Sequence, residues 1–410
     1  MGSRQRAQVG FGTPATALTR RSFLALSAAS LAACASPPRR SGGPVTGEAA
    51  MDVLSATPCV PLRFSGPRGS ATALTWVDTG GGAGFLSADL ARRLGVARTG
   101  TLSGQDPGQS PESYARFSEP EVTVAGFALD PSPVSWLEAP PGYFARTGAE
   151  AFLPARVLAN YDVLFDYPAR RFSIGQPGSL SPIGARVPAP VSDHGFCRLE
   201  VVIDGVGYGM LLDTGASHTM VSAALFDHLH RRHPAWPVVP LALGTANMAN
   251  AGADRGQRMM RIPSIRIGPV RVEGVSVVTR AAGAFEGYMS QLTSAPIIGA
   301  LAGNVLQVLR VAIEYRRGEV WISPDSASLP VIYRAPLNVE PDGDGFVVLE
   351  SQVASPRPGD RLASIANMSV AGASFAQVLD RLSSTGPGQL DIGFTRGAQL
   401  QVASVRLLAT

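Results

Sequence analysis

The segment "WVDTGGGAGFLSADL" at 76–90 overlies "LLDTGASHTMVSAAL" at 211–225 without a gap, the two copies standing 135 residues apart. Asp78 matches Asp213, Thr79 matches Thr214, Gly80 matches Gly215, Ser87 matches Ser222 and Leu90 matches Leu225, with Leu86 set against Val221. A given tripeptide should occur about 0.1 times by chance in a chain of this length. Two Asp-Thr-Gly turns inside one local pattern therefore mark an internal repeat, which constrains the fold more than composition does.

The repeat runs to the end of each unit. "VLFDYPARRFSIG" at 163–175 pairs with "VAIEYRRGEVWIS" at 311–323, each a strand, an acidic-Tyr pair, a basic turn and a second strand. "LEVVIDGVGYGMLLD" is a hairpin leading into the second aspartate, and "IRIGPVRVEGVSVV" is another after a long loop. Helix is sparse. One short helix is expected after each Asp-Thr-Gly, with Leu86, Leu90 and Leu94 following the first and Leu225 and Leu229 the second. The pattern predicts a mostly-β chain of two lobes facing each other.

In that frame the aspartates are costly: Asp213 follows two leucines in a strand that reads as buried, where an unpaired charge is expensive. The doubled hydrophobic-hydrophobic-Asp-Thr-Gly motif, with Ile297-Ile298-Gly299 near the end of a unit, resembles the aspartic peptidases of the pepsin and retropepsin type over residues 53–325. The resemblance implies two retropepsin-like β-barrel lobes in one chain, pepsin-like and bilobal, at 53–180 and 186–325. It also implies hydrolysis of a peptide or protein substrate by a water activated between Asp78 and Asp213, with no metal or organic cofactor. Two carboxylates about 3 Å apart cannot both ionise comfortably, so they share a proton, and aspartic peptidases are the standard illustration of it. One member can then take a proton from water while the other gives one to the carbonyl oxygen. The resemblance makes Thr79, Gly80, Thr214, Gly215 and Ser217 the support of the pair: the threonines bond across the lobes, and Ser217 bonds an outer carboxylate oxygen.

Three departures keep a second reading open, that of a peptide-binding envelope protein retaining the fold without turnover. Gly82 stands where the second unit has Ser217, and Ala149-Glu150-Ala151 stands where it has Ile297-Ile298-Gly299. The flap-like stretches "LSGQDPGQSPESYARF" and "LGTANMANAGADRGQRMM" offer no assignable subsite.

Residues 331–410 differ in pattern. "GFVVLES" reads as a strand, "SFAQVLDRL" as a helix with Phe375, Val378, Leu379 and Leu382 apolar, and "LDIGFTRGAQLQVASVRL" as a hairpin around Arg396-Gly397. With the Pro358-Gly359-Asp360-Arg361-Leu362 turn, the order resembles a small α/β PDZ-like domain, which implies recruitment of chain ends. A structural cap on the second lobe is the alternative.

At the other end, "TRRSFLALSAASLAAC" has an apolar core much shorter than the roughly 20 residues that span a bilayer. It resembles a twin-arginine export signal, residues 1–33, ending in a lipobox, with Cys34 the lipidated first residue of the mature protein and 34–52 a linker. The protein is then expected on the periplasmic face of the cell envelope, lipid-anchored. Ala35 after Cys34 favours the outer membrane over the inner. A monomer is expected. Removing the segment takes four arginines from a formal charge of +4, and the resulting neutrality speaks against a nucleic-acid partner. Cys59 and Cys197 remain, 19 and 16 residues ahead of the two aspartates, and could form a disulfide or stay as two buried thiols. His228, His230 and His233 beside Asp227 invite a metal reading. Arg231 and Arg232 would repel a cation, so a solvated helix end is the expectation, with no metal site. His218 adjoins the second turn, but its match is Ala83, and no catalytic role is expected for it.

Overall fold

Hairpins of alternating burial recur throughout a computed structural model that describes residues 43–104, 111–240, 256–326 and 328–410. The export segment and Cys34 lie outside the described residues, as do 105–110 and 241–255, which take in parts of the two flap-like stretches.

The two halves share a strand order. In the second, Val206–Leu212, Gly299–Leu301 and Met220–Ser222 are neighbours, and the sheet closes into a barrel where Arg258–Ile267 pairs back onto Arg198–Ile203. In the first, Gly69–Asp78, Ala151–Pro154 and Gly84–Leu86 take the same places. Each aspartate-bearing strand pairs in parallel with a partner from the far end of its lobe. A parallel pair needs a long crossover connection, and here the body of the lobe supplies it.

The short helices fall where the repeat places them, at Ala88–Leu94 and Ala223–Arg232. Ser87 and Ser222 are their N-caps, each hydroxyl accepting from the N–H three residues on, Leu90 at 3.1 Å and Leu225 at 3.2 Å. The matched serines and leucines are thus a cap and a buried anchor. Leu86 ends the preceding strand instead of starting the helix, and is equally buried.

The terminal hairpins of the repeat meet at the seam. Asp162–Asp166 pairs antiparallel with Leu309–Glu314, Val163 opposite Ile313 and Phe165 opposite Val311. Because Val163 corresponds to Val311 and Phe165 to Ile313, the same surface meets itself across a two-fold axis, the logic of a symmetric dimer inside one chain. Phe165, Phe172, Ile174, Ile313 and Ile322 are fully or almost fully buried there and join the two lobes in one apolar core. Thr46–Ala50 and Ala185–Pro188 form the outer strands of this six-stranded sheet. The linker read at 34–52 therefore needs correction: from Thr46 onward it is folded strand, because the hairpin edge offers it a row of unpaired backbone groups.

Of the two readings of the cysteines, the structure has the two buried thiols and not the disulfide. Cys59 packs with Trp76, Ala149 and Phe152, while Cys197 belongs to the main core, so each thiol faces apolar side chains of its own surroundings. Burial pushes both thiols up to about 12.

The C-terminal strands Leu337–Asp342, Gly345–Ser351, Arg361–Ile365, Gln389–Arg396 and Gln399–Arg406 form a separate sheet over their own core, which includes Val348, Ile365, Val378 and Ile392. Helix Phe375–Arg381 starts at a capping box, Ser374 with Gln377. Within the Pro-Gly-Asp turn, Asp360 is buried and accepts from Arg396 Nε at 2.9 Å and Nη2 at 2.7 Å. Arg261 of the second lobe holds the connection, donating to the carbonyls of Leu329 at 3.0 Å, Pro330 at 3.2 Å and Thr410 at 3.1 Å.

Candidate active site

Asp78 is the last residue of its strand and Asp213 directly follows the end of its own, the last residues of both strands are buried, and so are both carboxyls, Asp78 at 8% and Asp213 at 4% exposure. The two-fold seam brings them together: each carboxyl lies against the glycine of the other turn. Below them the threonines interlock. Thr79 Oγ1 donates to the Leu212 carbonyl at 2.7 Å and accepts from Thr214 N–H at 3.0 Å, while Thr214 Oγ1 donates to the Val77 carbonyl at 2.8 Å and accepts from Thr79 N–H at 3.0 Å.

The glycines are required by proximity. A Cβ on Gly80 would lie 2.8 Å from the Asp213 carboxyl carbon, and one on Gly215 would lie 2.2 Å from that of Asp78. Their N–H groups face the carboxylates, Gly80 donating to Asp78 Oδ1 at 2.6 Å and Gly215 to Asp213 Oδ1 at 2.9 Å, with Ala216 adding a third donor at 3.2 Å. Burial raises both carboxyls above the usual range; for Asp78 the neighbouring Asp213 adds to the rise. The backbone donors oppose it. The two carboxyls interact, so their titrations belong to the pair and not to either residue alone.

The first lobe keeps the supporting loop despite its altered residues. Glu150 N–H donates to the Leu74 carbonyl and Ile298 N–H to the Gly209 carbonyl, both at 2.9 Å. Ala155 N–H reaches the Gly81 carbonyl at 3.1 Å as Gly303 N–H reaches that of Ala216 at 3.0 Å. Backbone pairing makes these contacts, so Ala149-Glu150-Ala151 replaces the Ile-Ile-Gly segment without changing the path. Ser217 is buried with Oγ 3.0 Å from His218 Nδ1. At Gly82 a Cβ would meet nothing within 4 Å.

Several site residues carry no motif. Asn304 braces the second turn by accepting at Oδ1 from Thr219 N–H (2.7 Å) and Oγ1 (2.9 Å) and donating to the Ser276 carbonyl at 2.8 Å. Arg146, 3% exposed, donates through Nη2 to the Gly215 carbonyl at 3.0 Å and lies 4.5 Å over the Trp76 ring. The histidine cluster does not converge: His233 Nε2 is 2.7 Å from Asp204 Oδ2, and Arg258 pairs with Asp227 at 2.8 Å. Among the described residues no group of three or more His, Cys, Asp and Glu side chains could hold a metal ion.

Above the pair lies a cleft of about 240 Å³. Trp76, Phe85, Tyr143 and Phe152 line it from the first lobe, and Phe196, Phe285, Tyr288 and Met289 from the second. Leu102 and Tyr114, from the hairpin strands Arg98–Gly104 and Glu112–Phe117, also border it. The arrangement can hold an extended apolar segment against the two carboxyls.

Residues 199–299, the second lobe from its first hairpin to Gly299, match a family model described as aspartyl protease. Among solved structures, the aspartic proteinase from Irpex lacteus is similar at 12% identity, with 69% of this chain and 98% of that chain covered and a TM-score of 0.46. No curated protein matches.

Proposed function

We propose that the chain is an exported, lipid-anchored aspartic endopeptidase. The observation that carries this reading is the buried pair Asp78 and Asp213, each against the other's turn, at the floor of an apolar cleft. In this reading the ionised carboxylate removes a proton from water as its oxygen bonds to the scissile carbonyl carbon, and the protonated carboxyl gives its proton to the carbonyl oxygen. Collapse of the tetrahedral species breaks the C–N bond, with a proton passing to the departing nitrogen. Thr79 and Thr214 fix the pair's geometry, and the Gly80, Gly215 and Ala216 N–H groups spread its charge.

The export and anchoring rest on "TRRSFLALSAASLAAC" and Cys34. No helix among the described residues is long and apolar enough to cross a membrane. The C-terminal module acts in this reading as a PDZ-like recruiter of chain ends. Strand Gln399–Arg406 lies at the end of its sheet with Leu400 and Val402 largely exposed, a place where a peptide strand could add.

The test is digestion of an unfolded protein substrate across pH, with and without a pepstatin-type inhibitor, beside Asp78→Asn and Asp213→Asn. Inhibitor-sensitive cleavage lost in both variants supports the proposal. Cleavage surviving both substitutions refutes the assignment, and a wild type that cuts nothing favours a non-catalytic peptide binder.

A further inference from the structure

The aspartate pair is symmetric in its strands, threonines and glycines, but a cation beneath one turn breaks that symmetry. Arg146 reaches from the first lobe to the turn of the second, and Ser294 stands at the corresponding place in the repeat, so nothing mirrors it. Its guanidinium is buried, fixed at one end by the Gly215 carbonyl and on one face by Trp76, which also walls the cleft. Gly215 in turn is the residue whose N–H holds Asp213 and whose Cα packs on Asp78.

We propose that Arg146 is a positioning residue for the aspartate pair: its anchored guanidinium is the fixed counter-charge that holds the pair in its singly protonated form and pins the second turn. The inference rests on the reading of Asp78 and Asp213 as an acid–base pair. One proton on two carboxyls leaves one negative charge, and one guanidinium makes the buried cluster neutral. A buried charge without such a partner is strongly disfavoured. A cation stabilises every anionic form of the pair, so it lowers both macroscopic midpoints, and its removal raises both.

Arg280 apart, the other titratable groups described around the pair do not supply that charge. Burial holds the Tyr167 and Tyr315 hydroxyls and the Cys59 thiol neutral. Tyr143 lies beside the guanidinium. His218 is kept neutral by burial and by the cations Arg334 and Arg146. Arg280 lines the cleft as the second buried guanidinium near the site. Burial lowers Arg146 to about 10, which leaves it charged wherever the pair titrates.

The experiment follows the aspartate Cγ resonances of the mature, ¹³C-labelled protein against pH, assigned with Asp78→Asn and Asp213→Asn, alongside the pH–rate profile. Arg146→Gln can still donate to Gly215 but carries no charge; both midpoints are expected to rise by about one pH unit. Arg146→Lys is expected to stay within about 0.3 units of wild type, and Arg280→Gln to move the midpoints less than Arg146→Gln does. Unchanged midpoints in Arg146→Gln overturn the inference, as does a larger shift in Arg280→Gln. Failure of Arg146→Gln to fold at any pH also overturns it, since Arg146 would then be a structural strut alone. A wild type with the shifted aspartates but no cleavage would remove the peptidase reading and leave this inference intact.

Discussion

Thr79 and Thr214 each donate to the carbonyl of the residue preceding the other's aspartate, and each accepts the other's backbone N–H. The four bonds lie in the buried seam, so neither lobe can shift without breaking them. Replacing either threonine by valine keeps its volume while leaving a carbonyl and an N–H without partners. At about 1–3 kcal/mol for each such buried group, each variant should lose about 2–5 kcal/mol in urea unfolding, and the double variant less than the sum. Losses below 1 kcal/mol that simply add would show that the lattice does not hold the lobes.

The two glycines should not be equivalent. Gly215→Ala places its new carbon 2.2 Å from the Asp78 carboxyl, against 2.8 Å to that of Asp213 for Gly80→Ala. Both variants should lose activity, with Gly215→Ala the more destabilised by about 1–3 kcal/mol. The reverse ranking in thermal melts would mean that the carboxyls lie elsewhere.

Stability should fall as pH rises through the pair's titration. Both folded carboxyls are raised above their unfolded values, so their contribution is complete below the ordinary carboxylate range near pH 4 and is lost as pH climbs through the raised values. Asp78→Asn cannot ionise at that position. Its melting temperature should decline less between pH 4 and 8 than that of the wild type, while peptide hydrolysis falls at least about 10³-fold. Parallel declines would show that the carboxyls do not interact.

Gly82 leaves room for the hydroxyl that Ser217 carries in the other lobe. Gly82→Ser should fold within about 0.5 kcal/mol of the parent and, by donating to Asp78, move the acid limb of the pH–rate profile to lower pH. A limb moving upward would place that hydroxyl against the protonated form instead.

Both thiols should be silent in the native protein. With Cys59 and Cys197 buried and pushed up to about 12, a thiol-specific reagent should label neither before unfolding and both after it, without reductant. Recovery of no thiol after unfolding would restore the disulfide.

The lobes, their helices and the identity of Asp78 and Asp213 were legible because a repeat prints the same short-range chemistry twice. A serine that caps a helix and a leucine that anchors it act within three residues, and the Asp-Thr-Gly turn acts within four. Strand Thr46–Ala50 was not legible because its partner strand Arg171–Gly175 is more than 120 positions along the chain and its own pattern is weak. Backbone hydrogen bonds kept the Ala149-Glu150-Ala151 loop on its path, and they do not depend on side-chain identity.

The sequence by itself determined that two equivalent β units would each end a buried strand in a carboxylate, because periodicity, turn chemistry and repetition are local properties of the chain. Only the tertiary structure decided that these carboxyls meet across the seam, that the cysteines stay apart, and that Arg146 sits under one turn and not the other. Those outcomes depend on distances between residues far apart in the chain, and both burial and electrostatic interaction are set by that spatial separation.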